Sequence, residues 1–136
     1  MSTVVDASVA LKWVLDEPGS AAASELRNED LIAPEFWLTE AANSLWRRNL
    51  IGDISSADAK ERLSELAEAP VAPAAILPLL PAALDFAMAL QHPIYDCLYL
   101  ALATTVGTHF VTADRRFAAA VAGHPDLAGR VRLLGT

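Results

Sequence analysis

The stretch Ile94–Asp114, IYDCLYLALATTVGTHFVTAD, decides the fold class of this chain of 136 residues. Its first part, residues 94–106, is apolar almost all round, which predicts a helix that is central and buried. A glycine ends that helix, and residues 109–112 have the character of a short strand. Asp114 then begins a further helix, predicted over 114–121. A buried helix that leads through a short strand into another helix is typical of helices packed on a parallel sheet.

The same alternation of strand and helix runs along the rest of the chain. Apolar periodicity predicts strands over 4–5, 31–33 and 131–134, and helices over 7–15, 21–26, 35–50, 57–68 and 82–90. Residues 70–81 are rich in proline and are predicted to form a loop, with at most a short strand around Val71. Because short apolar strands joined by helical crossovers favour parallel pairing, we expect one domain over 1–136. Its predicted fold is an α/β three-layer sandwich, with a mostly parallel central sheet of four to five strands covered by helices.

Composition excludes several classes of protein. Hydrophobic residues make up 54% of the chain and charged residues 20%, which argues against global disorder. The single cysteine, Cys97, cannot form a disulfide framework, and we expect it to be a core residue rather than a nucleophile. The N-terminus lacks the basic region of a signal peptide, and the longest apolar stretch, residues 71–84, is broken by prolines. We therefore expect a cytoplasmic protein with no membrane segment.

The net charge of −7 bears on the choice of partner. An acidic protein repels a polyanion at long range, so charge alone favours a protein that does not bind nucleic acid. The alternative is that the acidic residues divide into a solvated surface set and a buried site set, where bound cations reverse the local sign. The net charge is therefore compatible with a nucleic-acid substrate only if some of the acidic residues cluster in a site that binds cations.

Four acidic residues are placed where the predicted fold would bring them together. Asp6 directly follows the first strand, and Asp114 lies two residues past the strand that ends at Thr112. Because ligands bind outside the carboxyl ends of parallel strands, both aspartates belong at the same edge of the sheet. Asp96 lies in the first turn of the buried helix, and Glu40 lies in the first two turns of another helix.

Each of these acids also has a structural explanation. Asp6 and Asp114 precede helices and could be N-caps. Asp96 could complement a helix dipole, and Glu40 could be an exposed helical residue. However, carboxylates that converge at one sheet edge repel one another unless a cation lies among them. Oxygen ligands without a Cys or His cluster suit Mg²⁺, with Mn²⁺ as the alternative.

Four segments occur in an order and with a spacing that resemble a known family. They are VVDASVALKW (4–13), LTEAANSLWR (38–47), YDCLYLALA (95–103) and FVTADRRF (110–117). Together they resemble the PIN-domain ribonucleases, and most closely the VapC toxins of bacterial and archaeal toxin–antitoxin pairs. The resemblance covers nearly the whole chain. It implies a PIN-like parallel α/β sandwich and Mg²⁺-dependent cleavage of RNA phosphodiester bonds.

The resemblance implies a role for each of the four acids. It identifies the catalytic positions as Asp6, Glu40, Asp96 and Asp114. We expect the three aspartates to hold the metal, which lowers the pKa of water and neutralises charge on the phosphate. We expect Glu40 to orient water or to act as a base. Cleavage of this kind leaves a 5′-phosphate and a 3′-hydroxyl.

Neighbouring polar residues are expected to support this centre. Ser8 and Thr112 match positions whose hydroxyls support the site in the family. Asn43, Ser44 and Arg47 follow Glu40 at i+3, i+4 and i+7. Residues at these spacings lie on one face of a helix, so they form a polar stripe together with Glu40. Several cations are candidates for contacts to RNA phosphates, namely Lys12, Arg47, Arg48, Arg115 and Arg116.

The resemblance also implies partners. Toxins of this family act on RNA, form homodimers and are held inactive by a small antitoxin, here a VapB-like protein, that inserts a segment near the acidic site. A basic antitoxin arm would suit the net charge of −7.

Other function classes fit the sequence less well. A haloacid-dehalogenase-type phosphatase needs a second aspartate two residues after the first, and Ser8 occupies that position. A response-regulator receiver needs an acidic pair near its first strand and a late lysine, and neither pattern is clear. No G-x-S-x-G elbow is present, and His92, His109 and His124 are scattered, as expected of loop or strand-edge residues. The alternative that stays open is a non-catalytic PIN-like module that binds RNA or protein.

Overall fold

A central sheet of five parallel strands organises the chain, which the computed structural model describes over residues 2–136. The strands are β1 (Thr3–Val5), β2 (Leu31–Pro34), β3 (Val71–Ala74), β4 (Phe110–Thr112) and β5 (Val131–Leu133). They lie in the order β3-β2-β1-β4-β5, and every neighbouring pair is parallel. The predicted α/β architecture is confirmed, and the sheet has five strands where four to five were expected.

Helices connect the strands. They are α1 (Ala7–Ala10), α2 (Ser20–Leu26), α3 (Trp37–Leu50), α4 (Ser56–Ala67), α5 (Leu80–Leu90), α6 (Ile94–Val106) and α7 (Arg115–Ala122). Short 3₁₀ turns cover Leu11–Trp13, Leu77–Leu79 and Ala128–Arg130. Within residues 2–136, no helix combines the length and the apolarity needed to cross a bilayer.

Both faces of the sheet are covered, as the alternation of strand residues shows. Val4 and Phe110 belong to the larger hydrophobic core, whereas their neighbours Val5 and Val111 belong to a smaller core together with Val9 of α1. Since successive strand residues point to opposite faces, the two cores lie on opposite sides of the sheet. This is the three-layer sandwich expected from the sequence.

Helix α6 lies at the centre of the larger core. All seven residues from Cys97 to Ala103 are buried, which confirms the prediction of a central helix and of a buried cysteine. The helix packs on β1, β2 and β4. Because α6 leads into the start of β4, its own first turn lies at the carboxyl edge of the parallel sheet. Helix α3 directly follows β2, so its first turns also lie at the carboxyl edge of the sheet.

The predicted helix over 7–15 is wrong in its second half. The α-helix ends at Ala10 and continues as the 3₁₀ turn Leu11–Trp13. The indole N–H of Trp13 donates a 2.7 Å hydrogen bond to the backbone carbonyl of Ala23 in α2. This contact joins the turn to α2, and the local periodicity carries no sign of it.

Residues 70–81 are more regular than the predicted loop. All four residues of β3 pair with β2, and Pro73 stands opposite Ala33. Proline is tolerated there because β3 is an edge strand, on which one row of N–H groups has no neighbour. Helix α5 then starts at Leu80 instead of 82, with Pro81 in its first turn, where its missing N–H costs nothing. The other predicted elements lie within two residues of their observed bounds.

Candidate active site

The four acids of the sequence analysis line a single cavity at the carboxyl edge of the sheet. Asp6 follows β1, Asp114 follows β4, Glu40 lies in the first turn of α3 and Asp96 in the first turn of α6. The lining residues are Asp6, Ala7, Ser8, Leu11, Glu40, Asn43, Ser44, Arg47, Asp96 and Asp114. The structure therefore brings together residues that are up to 108 positions apart along the chain, because four different elements begin or end at this edge.

Asp6 is the most buried of these acids, with 6% of its surface exposed. It is the N-cap of α1, and its Oδ1 accepts hydrogen bonds from the backbone N–H of Val9 at 3.1 Å and from the hydroxyl of Ser8 at 2.5 Å. Its Oδ2 accepts one from the hydroxyl of Thr112 at 2.6 Å. Burial raises the pKa of Asp6 to about 6, and the nearby charge of Asp96 adds to the rise, although the three hydrogen bonds oppose it.

The hydroxyls of Ser8 and Thr112 join the two strand ends that carry aspartates. Besides donating to Asp6, Ser8 accepts a hydrogen bond from the N–H of Ala113 at 3.2 Å, and Thr112 accepts one from the N–H of Asp114 at 3.0 Å. Asp114 in turn caps α7 through two backbone N–H groups, those of Arg116 and Phe117. The capping explanation thus holds for both strand-end aspartates, and it leaves them facing the same cavity.

Glu40 is held by a tyrosine that the sequence analysis did not identify. The hydroxyl of Tyr99 donates to Oε1 of Glu40 at 2.5 Å. Burial raises the pKa of Glu40 to about 6, and the charges of Asp6 and Asp96 raise it further, against the effect of the Tyr99 bond. The available signal was a hydroxyl-bearing side chain three residues after Asp96, within the otherwise apolar run 97–103.

Asp96 is paired with His92, the second residue that the sequence analysis left outside the site. His92 Nε2 lies 2.6 Å from Oδ2 of Asp96, and the imidazole ring packs on Phe117 of α7 with centroids 4.7 Å apart. His92 lies in the short connection between α5 and α6, as expected of a loop histidine. Its four-residue separation from Asp96 across a helix start was the only local clue to the contact.

The chemistry of the cavity suits a hard divalent cation. The four acids that line it offer carboxylate oxygens as ligands. The negative charge of Asp96 helps to raise the pKa of Asp6, and the charges of Asp6 and Asp96 help to raise the pKa of Glu40. Among residues 2–136, no three acidic, histidine or cysteine side chains lie close enough to form a ready-made cation cage. The four acids nevertheless face one cavity, and they offer the oxygen ligands that Mg²⁺ and Mn²⁺ prefer.

The predicted phosphate-binding cations are placed differently from one another. Arg47 lines the acidic cavity, beside Asn43. Lys12 and Arg115 line a separate cavity, and the ammonium of Lys12 is bound to Glu17 at 3.2 Å and to the carbonyl of Pro18 at 2.7 Å. The two remaining candidates also lie outside the lining of the acidic cavity: Arg116 is exposed in α7, and Arg48 pairs with Glu17.

Comparison with known proteins gives concordant results. The model of the PIN domain family matches residues 3–122. Ribonuclease VapC3 of the archaeon Pyrobaculum aerophilum is 35% identical over 130 residues, which cover 87% of this chain and 93% of the relative. Each of these two matches spans most of this chain.

Two solved structures share the fold. The crystal structure of PAE2754 from Pyrobaculum aerophilum superposes with a TM-score of 0.72 and 23% identity, covering 96% of this chain and 83% of the other. That of Mycobacterium tuberculosis VapC20, described as a sarcin-ricin loop cleaving toxin, has a TM-score of 0.66 and 16% identity, covering 87% and 94%. At these identities the two likenesses speak for the fold alone.

Proposed function

Because the chain belongs to the PIN-domain family, we propose that it is a metal-dependent endoribonuclease that cleaves RNA phosphodiester bonds at the acidic cavity. The observation that carries the proposal is the convergence of Asp6, Glu40, Asp96 and Asp114 on one cavity at the carboxyl edge of the sheet. The 35%-identical relative is named a ribonuclease, and that name agrees with the chemistry of the cavity.

Asp6, Asp96 and Asp114 would hold the cation, Mg²⁺ or Mn²⁺. When bound, such a cation supplies positive charge that acidifies water and stabilises the charge of the transition state on the phosphate. The protein contributes fixed ligands, because three hydrogen bonds hold the two oxygens of Asp6 and two backbone N–H groups hold Asp114. The pKa of Asp6 near 6 leaves it ionised and able to bind a cation at neutral pH.

Glu40 is suited to accept a proton from the attacking water. Its pKa of about 6 lies close to neutral pH, where a general base is most effective. One of its oxygens, Oε1, is occupied by the hydroxyl of Tyr99, and no residue of the described chain hydrogen-bonds to the other oxygen. Glu40 therefore offers one anchored and one available oxygen to the cavity.

Arg47 is the cation placed to meet the substrate. It is exposed on α3 and lines the same cavity as the four acids. A phosphate next to the cleavage site would be attracted to its guanidinium, which matches phosphate geometry through two parallel N–H groups. Asn43 and Ser44 provide further polar groups on the same helical face.

As for its biological setting, we propose that the chain is the toxin of a VapBC-type pair, working in the cytoplasm as a homodimer under the control of a VapB-like antitoxin. Two groups of exposed apolar side chains are available for partners. One lies at the end of α3, with Trp46, Leu50 and Ile51, and the other along the α5 region, with Leu77 and Met88. Where such side chains form a contiguous patch, the exposed apolar surface is typical of a contact site between proteins.

The test is incubation of the purified chain with end-labelled RNA and Mg²⁺, followed by analysis of the product ends. We expect internal cleavage that leaves 5′-phosphate and 3′-hydroxyl ends, and none with excess EDTA. Asp6→Asn should lose most of the cleavage, whereas its matched control Asp85→Asn should retain it, because Asp85 is an exposed acid on α5 outside the cavity lining. Undiminished cleavage in excess EDTA would exclude the metal mechanism. RNA left intact with Mg²⁺, and also with Mn²⁺ in its place, would favour the non-catalytic binding module.

A further inference from the structure

Tyr99 combines a buried ring with a hydroxyl that hydrogen-bonds to Glu40, one of the acids that line the active-site cavity. The residue has no exposed surface. Its ring stacks on Phe110 with centroids 5.2 Å apart and an interplanar angle of 13°, and it meets Phe36 edge to face at 5.5 Å. Packed between Phe110 of β4 and Phe36, which precedes α3, the phenol has little freedom to move, so the position of its hydroxyl is fixed.

The hydroxyl of Tyr99 links two parts of the site. It donates to Oε1 of Glu40 at 2.5 Å, across 59 residues of sequence. Tyr99 also lies three residues after Asp96, so both side chains project from the same face of α6. A single rigid helix therefore carries one expected metal ligand and the group that anchors Glu40.

We propose that Tyr99 is a positioning residue, which fixes the Glu40 carboxylate at the distance from Asp96 that RNA cleavage requires. The inference rests on the proposed function. Tyr99 engages one carboxylate oxygen and thereby leaves the other to accept the proton from water. Without the hydroxyl, Glu40 keeps its charge and its place on α3 but loses the bond that holds its side chain against the repulsion of Asp6 and Asp96.

The test uses Tyr99→Phe, which removes one oxygen and keeps both ring contacts. Tyr95→Phe is the matched control, because Tyr95 lies on the same helix, is 61% exposed and also packs edge to face on Phe36. We expect Tyr99→Phe to lower kcat about 10- to 100-fold. We expect KM for RNA and the calorimetric affinity for Mg²⁺ to change less than about threefold, since the metal ligands and Arg47 are untouched.

A double-mutant comparison separates positioning from a purely structural role. Glu40→Gln removes the base, so adding Tyr99→Phe to it should cost no further activity if Tyr99 acts through Glu40. A Tyr99→Phe chain with the kcat of the wild type would overturn the inference while the proposed function stands. Full additivity of the two losses would overturn it as well. A wild-type chain that cleaves no RNA overturns the proposed function and the inference together.

A spectroscopic measurement covers the case in which Tyr99→Phe folds poorly. The chain has two tyrosines, so ¹³C labelling at the phenolic carbon gives two resonances, which Tyr95→Phe assigns. In the metal-free chain, Glu40→Gln should shift the Tyr99 resonance and leave that of Tyr95 in place, because the hydroxyl of Tyr99 loses a charged acceptor. An unshifted Tyr99 resonance would contradict the hydrogen bond on which the inference depends.

Discussion

The hydroxyl of Thr112 donates a 2.6 Å hydrogen bond to Oδ2 of Asp6, a residue 106 positions earlier in the chain. The same oxygen of Thr112 accepts a bond from the N–H of Asp114. One side chain at the end of β4 thus orients a carboxylate at the end of β1 and the backbone of the aspartate that follows its own strand. The adjacency of β1 and β4 in the parallel sheet makes this bridge possible.

Replacing Thr112 by Val should weaken both the fold and the site. The buried carboxylate of Asp6 and the N–H of Asp114 each lose a partner, which costs about 1–3 kcal/mol of unfolding free energy. With Asp6 less firmly held, RNA cleavage should fall about 10- to 100-fold. Urea unfolding and cleavage rates measure the two effects.

The control for this change is Thr104→Val. Thr104 is exposed on α6, and its hydroxyl bonds only to the backbone carbonyl of Leu100 within the helix, at 2.9 Å. Its replacement should leave both stability and cleavage close to those of the wild type. If Thr112→Val unfolds and cleaves RNA like Thr104→Val, the hydrogen bonds of Thr112 contribute to neither stability nor cleavage.

The stability of the metal-free chain should fall as the pH rises through about 6. Burial raises the pKa of Asp6 from 3.8 to about 6, so between these values the folded chain holds a proton that the unfolded chain has lost. The contribution of Asp6 is complete below about 3.8 and is lost as the pH passes 6, a difference of about 3 kcal/mol. Glu40, whose pKa is also raised to about 6, acts in the same direction.

Urea unfolding of the wild type and of Asp6→Asn, followed from acidic to neutral pH, isolates this contribution. The free energy of the variant should depend less on pH, and at neutral pH the metal-free variant should be the more stable protein. Parallel pH dependences for the two chains would show that the burial of Asp6 does not govern its ionisation.

Magnesium should stabilise the folded chain by binding among the carboxylates. At a concentration of about 100 times Kd the gain is about 2.7 kcal/mol, which for a domain of this size is a rise in Tm on the order of 10 °C. Thermal unfolding with increasing Mg²⁺ or Mn²⁺ measures it. The rise should be absent in Asp6→Asn and retained in Asp85→Asn, whereas equal rises in all three chains would place the cation elsewhere.

Much of the fold could be predicted because its determinants are local. The apolar run of α6 and the short strand after it define a buried helix and a central strand, and the aspartates that follow β1 and β4 then fall at one edge by the rules of parallel sheets. What escaped prediction depends on contacts between distant residues. Examples are the bond from Trp13 to Ala23, which joins the 3₁₀ turn after α1 to α2, and the pairing of the proline-bearing strand β3 with β2.

The site shows the same division between local and distant determinants. Its four acids were predictable from their positions relative to strands and helix starts, aided by the resemblance of their surrounding segments to a family. Tyr99 and His92 were not, because a tyrosine in an apolar helix and a histidine before a proline are ordinary in sequence. Likewise, no local pattern indicates that Lys12 is bound by Glu17 and the carbonyl of Pro18.

Arg47→Gln should weaken RNA binding and reduce its dependence on salt. The loss of one phosphate contact to single-stranded RNA lowers the slope of log affinity against log salt by about 0.7. Binding of labelled RNA at several salt concentrations, in the Asp6→Asn background to prevent cleavage, measures the slope. Arg132→Gln is the control, since Arg132 lines a different cavity. An unchanged slope for Arg47→Gln would remove this residue from the RNA-binding surface.

The rate of RNA cleavage by Asp6→Asn at saturating Mg²⁺ tests most directly whether the acidic cavity is the catalytic centre. Asparagine keeps the size of the side chain and removes its charge. Its carbonyl oxygen can replace Oδ1, which accepts from Ser8 and Val9, while its NH₂ group replaces Oδ2 and makes the hydroxyl of Thr112 an acceptor. Several kcal/mol of transition-state stabilisation depend on the cation that this charge helps to hold, which predicts a loss of at least about 100-fold relative to the wild type. A variant that folds and cleaves RNA at the rate of the wild type would contradict the assignment.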